Sequence, residues 1–177
     1  MSNIMEKLLG GDLRSIGRAD EVIAEILKEP SLFYEVFKGM KNENPLIRMR
    51  AADVIEKIAR EHPEYLRPCK EELINEISEI DQQEVRWHVA LLFSYLDLTD
   101  TEKSVVVEKL VAWVKNSKSK IVIVNSLQAL ADIGRQDSRC KALALKTLEE
   151  AMAGGSPAVV ARAKKLLKQL TRQPEGF

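Results

Sequence analysis

Apolar residues return every three or four positions along most of this chain, and no segment keeps a period of two long enough to form a strand. The pattern predicts helices near 3–9 and 19–28, 31–40 and 45–61, 66–79 and 83–96, 100–116 and 119–133, and 138–153 and 157–172. Several starts are marked. Asn44-Pro45 and Ser156-Pro157 each set a capping side chain before a proline that suits the first helical position. Thr99 to Glu102 reads as a capping box, and Asp137 as a further cap. Gly10-Gly11, His62-Pro63, Gly134 and Gly154-Gly155 read as breaks. The β-branched run Ile121 to Val124 stays in phase with the helical pattern and is assigned to helix.

One pattern recurs. Ile47-Arg48, Val85-Arg86, Val122-Ile123 and Val159-Val160 follow one another after 38, 37 and 37 residues. Three, seven and ten residues past the second member of each pair, the side chain is small or apolar. These positions hold Ala51, Ile55 and Ile58; Val89, Phe93 and Leu96; Ser126, Leu130 and Ile133; and Ala163, Leu167 and Leu170. That is a single stripe at helical spacing, which predicts the core face of the second helix in each pair. A helix pair of this length cannot bury its stripe alone, so copies must stack. The reading is all-α, with one domain over 1–177, about five helix pairs, an irregular first pair over 1–30 and a tail at 173–177.

The segments Ile47-Arg48 with Ala51 and Ile55, and Val85-Arg86 with Val89 and Phe93, resemble the V-R-x-x-A-x-x-x-L core of HEAT repeats. Leu130-Ala131-Asp132-Ile133-Gly134 resembles the close of many HEAT second helices. The resemblance covers about residues 31–172, and the chain is similar to small prokaryotic HEAT-like proteins. It implies a right-handed α-α superhelix, and an arginine ladder along the turns, with Asn44 and Asp81 placed to serve Arg48 and Arg86. Ile123 and Val160 break that ladder, so apolar packing is expected in the C-terminal half. An arginine at 123 would find no acid among Ser117, Lys118, Ser119 and Lys120.

Composition narrows the function. The chain has 177 residues, is 45% apolar and 31% charged, and balances 27 basic against 27 acidic residues. No whole-molecule field draws it to nucleic acid or to an anionic membrane. No apolar run approaches the ~20 residues of a membrane span. Cys69 and Cys140 lie far apart without a CxxC, which reads as two thiols in a reducing compartment, the cytoplasm. Only two histidines, His62 and His88, are present. No phosphate loop, nucleophile elbow or metal-binding spacing occurs, so no catalytic residue, metal or cofactor is assigned and no small-molecule substrate is evident. Trp113, on a first helix, is expected in the core.

In a helix-pair solenoid the second helices line the concave side. Their outward positions predict a face of Arg50, Asp53 and Lys57; His88, Leu91 and Tyr95, bordered by Trp87; Asn125, Gln128 and Asp132; and Arg162, Lys165 and Gln169. Leu91 and Tyr95 put an apolar centre among charges, which suits a protein partner. Packing of Trp87, Leu91 and Tyr95 into the core is the equal alternative. The leading reading is a non-catalytic protein-binding scaffold. The second is a nucleic-acid or DNA-repair protein, since HEAT-like folds include alkylbase glycosylases. Arg50, Lys57, Arg60, Arg162, Lys165 and Arg172 would then meet phosphates, and Asp53 with Trp87 would be the glycosylase pairing.

Overall fold

The computed structural model describes residues 3–10 and 17–172. Among these the chain is all-helical, with helices packed against one another and no strand. It gathers into two compact units, residues 1–97 and 98–177. The proposed tail at 173–177 lies outside the described residues, as does Gly11.

In the first unit α1 (Asn3–Glu6) and α2 (Ala19–Lys28) precede α3 (Leu32–Lys38), which tightens into a 3-10 turn at Gly39–Lys41. Then come α4 (Pro45–Glu61), a 3-10 stretch at Pro63–Cys69, α5 (Lys70–Asn75), a second short stretch at Ile77–Glu79, and α6 (Gln83–Tyr95). The centre is α4, which packs against α2, α3 and α6. Its sequence allows this because Ala51, Ala52 and Ala59 keep parts of the surface small while Val54, Ile55 and Ile58 fill the gaps, all buried. A Cβ built on Gly39 would lie 3.1 Å from the Ala51 Cβ, so the small residue at that position does permit close approach.

The helix expected at 66–79 is broken. Pro68 sits inside the 3-10 stretch, where its ring and missing N–H oppose an α-helix. Further on, the Ser78 hydroxyl donates to the Ile74 carbonyl at 2.6 Å, a bond that competes with the backbone ladder. The first expected helix, 3–9, is likewise only Asn3–Glu6.

The second unit is more regular, with α7 (Asp100–Asn116), α8 (Lys120–Gln136), α9 (Ser138–Gly154) and α10 (Pro157–Thr171). Within it α7 pairs with α8 and α9 with α10, while α8 also packs against α9 and α10. The capping box is present: Thr99 Oγ1 accepts from the Glu102 amide at 3.3 Å, and Glu102 accepts from the Thr99 amide at 2.8 Å. Asp137 caps α9 through the Arg139 amide at 2.9 Å. Arg139 also reaches Asp100, and Lys103 reaches Asp137, so charge-assisted bonds join the starts of α7 and α9. These cations hold the Asp137 carboxyl far below the usual range.

Three sequence expectations need correction here. Gly134 does not stop α8; it is buried inside the helix, and a Cβ there would lie 3.1 Å from the Ala144 Cβ and 3.3 Å from the Lys141 Cα. The glycine serves close packing of α8 on α9. Ser156 sets the start of α10 but makes no side-chain cap bond, unlike Asn44, whose Oδ1 accepts from the Leu46 amide at 2.9 Å. Trp113 is only partly buried.

The core stripe follows the predicted register. Of its twelve positions only Leu167 is not buried.

Candidate functional site

The predicted surface residues of the first unit come from α4 and α6, which pack side by side. Helical spacing puts Asp53, Glu56, Lys57 and Arg60 on one side of α4 as i, i+4 pairs. Lys57 donates to Asp53 at 2.8 Å, and Arg60 holds Glu56 through both carboxylate oxygens at 2.9 Å. Glu56 is almost wholly buried, and the Tyr95 hydroxyl of α6 donates to it at 2.9 Å. This carboxylate ties the two helices together. Burial, followed by that bond to Glu56, pushes the Tyr95 phenol up to about 12. Arg60 is raised by its bond to Glu56.

His88 projects from α6 between the same carboxylates. Its Nε2 lies 3.9 Å from Asp53 and its Nδ1 3.9 Å from Glu56, beyond hydrogen-bond range. The Nδ1 is buried with no hydrogen-bond partner among the described residues. Desolvation lowers the imidazole pKa; Asp53 and Glu56 pull it back in part, and Lys57 and Arg60 oppose them. Trp87 packs edge-on to the His88 ring at 5.9 Å. Trp87, Leu91 and Tyr95 are all partly exposed, so they are neither a fully open patch nor closed core. Tyr95 also lines a cleft of about 400 Å³ beside Arg67 and Lys70.

Arg50 departs from its expected place. It is 1% exposed, and its Nη1 donates to the Leu8 carbonyl at 2.8 Å, so the side chain pins the N-terminal segment onto α4 instead of meeting a partner. Gly17, at φ +59°, would put a Cβ 2.8 Å from that guanidinium. Leu8 and Gly17 thus lie over Arg50, at a position of α4 that the repeat pattern leaves open.

The predicted residues of the second unit form their own cluster. Arg162 of α10 donates to Gln128 of α8 at 2.9 Å, and Gln128 donates to both oxygens of Asp132 at 3.1 Å. Arg135 completes the set on Asp132, whose pKa burial raises. Asn125 is partly buried; Lys165 and Gln169 are exposed.

Glu56 is the residue that outward-position counting missed, because it lies one step off the assumed face. Its signal was the Glu56–Arg60 spacing, which places opposite charges one turn apart. The ladder partners also differ from expectation. Arg86 does bond Asp81, at 2.9 Å, but Asn44 caps α4 instead of serving Arg48. Arg48 donates to Gln82 Oε1 at 2.6 Å and to the Asn42 and Glu43 carbonyls at 2.8 and 3.0 Å.

Among the described residues no group of three or more His, Cys, Asp or Glu is placed to hold a metal, and no helix is long and apolar enough to cross a membrane. Cys69 is buried, which pushes its thiol up to about 11; Cys140 is partly exposed, and both are free. No family model matches the chain, and neither a curated protein nor a solved structure does.

Proposed function

We propose that the chain is a non-catalytic protein-binding module built from HEAT-like helix pairs, which holds a partner segment against α4 and α6. One observation carries the reading: Trp87, Leu91 and Tyr95, four residues apart on α6, are partly exposed, and Tyr95 reaches charged groups of α4 that are already paired to one another. Aromatic anchors held in place lose little entropy on binding and dominate interface energy. The carboxylates that acid–base chemistry would require are engaged instead, Glu56 by Arg60 and Tyr95, and Asp53 by Lys57. The packing of α7 with α8, α9 with α10, and α8 with α10 is what stacked helix pairs produce, and supports the superhelical reading.

The nucleic-acid reading draws less support. Of its six cations Arg50 is buried, Lys57 and Arg60 are matched by acids, and Arg162 is held by Gln128. The test is affinity capture with wild type and with Leu91→Asp, both checked for helicity by circular dichroism. Proteins retained by wild type and lost with folded Leu91→Asp support the reading. Equal retention by both, or salt-sensitive recovery of nucleic acid instead, removes it.

A further inference from the structure

We propose that the cleft between the α7–α8 turn and the α9–α10 turn binds a peptide segment presenting an aliphatic side chain flanked by carboxylates. The first unit shows what fills such a place. The Arg48 guanidinium lies across its own turn and reaches Gln82 at the start of α6, and the Gln82 amide in turn donates to the Pro45 carbonyl at 2.9 Å. The turn of the second unit is built the same way. Ser117 Oγ accepts from the Ser119 amide at 3.1 Å, as Asn42 Oδ1 accepts from the Asn44 amide at 2.9 Å. But Ile123 stands where Arg48 stood, and Ser156 where Gln82 stood.

Neither replacement can span the gap, and a cleft of about 440 Å³ remains. Val114, Ile123, Ala151 and Val159 give it an apolar floor. Ser156 lines the wall, its hydroxyl oxygen buried with no hydrogen-bond partner among the described residues. Three lysines, Lys115, Lys118 and Lys120, meet one acid, Glu150. Lys115 lies 3.6 Å from Glu150; among the described residues Lys118 and Lys120 have no ion-pair partner and are exposed.

Charge and floor together select the occupant. An aliphatic side chain is favoured by leaving water for the floor, and carboxylates beside it meet the exposed Lys118 and Lys120. A nucleic acid would find no aromatic ring to stack on and few cations for its phosphates. This site lies in the second unit and stands independently of the α4–α6 face.

The test pans the full chain against a random heptapeptide library, then titrates the enriched, labelled peptides by fluorescence anisotropy. We expect Leu, Ile or Val between Asp or Glu. Ile123→Arg, which supplies the side chain that fills the counterpart, and the pair Lys118→Glu with Lys120→Glu should each weaken binding about tenfold or more. Leu91→Asp should leave it unchanged. The exposed lysine pair keeps the experiment decisive if Ile123→Arg unfolds. Absence of enrichment, enrichment of basic peptides, or binding indifferent to the lysine pair overturns the proposal. Tighter binding of a labelled twelve-nucleotide dT oligomer than of any peptide overturns it too.

Discussion

Arg48 and Ile123 occupy the same position in turns of the same construction, yet one closes its groove and the other leaves it open. The difference shows that a polar clamp depends on more than its arginine. It needs an acceptor long enough to cross, which Gln82 is and Ser156 is not. The neighbouring clamp, Arg86 on Asp81, also needs room for an acid. Gly155 stands at the Asp81 position in the second unit, where a Cβ would lie 2.5 Å from the Ala151 carbonyl oxygen and 2.7 Å from the Val159 Cγ1. Close packing at the α9–α10 turn thus leaves no room for the acid of that clamp, and Val160 stands where its arginine would be.

The hardest test of that comparison is Gly155→Asp. Backbone stands in the way, so restoring the acid should cost about 3 kcal/mol in chemical denaturation, the upper range for overpacking. A cost near zero would show that the turn can open and that the glycine is incidental. Next comes Arg48→Ala, which removes three charge-assisted bonds and leaves Gln82 Oε1 without its donor. We expect a loss of about 2 kcal/mol. Arg48→Lys should recover little of it, because one ammonium cannot replace a planar fork of donors.

Acid should separate the two units. Both histidines lie within residues 1–97. Burial holds the folded pKa of His88 below its unfolded value, so below the unfolded pKa the unfolded chain binds a proton that the folded one refuses. Stability is fully present at higher pH and falls as pH drops through the ordinary histidine range. Hydrogen exchange from pH 7 to 5, corrected for intrinsic rates, should show α4 and α6 losing protection while α8 and α10 do not. His88→Gln should remove that loss. In the second unit Asp137, held low by Arg139 and Lys103, loses its contribution only in much stronger acid.

The smallest expected effect is that of Ile123→Arg on stability. Sequence alone argued against an arginine there for want of an acid. Yet Arg48 uses backbone carbonyls and an amide rather than an acid, and the cleft has room. Loss of apolar contact and repulsion from Lys118 and Lys120 should nearly offset the gain, leaving a change within about 1 kcal/mol by denaturation. A large loss would mean that Ile123 packs the groove rather than merely lining it.

Helix positions, the burial stripe and most caps were legible because each depends on local spacing: 3.6 residues per turn, a polar side chain before a proline, a threonine three residues before a glutamate. Ala51 and Val89 could be placed in the core from period alone. The passage of α8 through Gly134 was not, since a glycine signal yields to whatever packs against it, whereas at Pro68 the proline prevailed over the apolar period that predicted one helix. The candidate site was legible only in part. Counting positions found Asp53, His88, Leu91 and Tyr95, but placed Arg50 at the surface because the segment that covers it lies outside the repeat.

Local spacing thus determined where the chain turns helical and which stripe each helix buries, because those preferences act between residues one turn apart. Tertiary structure alone decided which charges are spent. Whether Arg50 meets Leu8, Glu56 binds Tyr95, or Lys118 stands without an ion-pair partner among the described residues depends on residues far along the chain arriving within 3 to 4 Å, a distance no repeat period encodes.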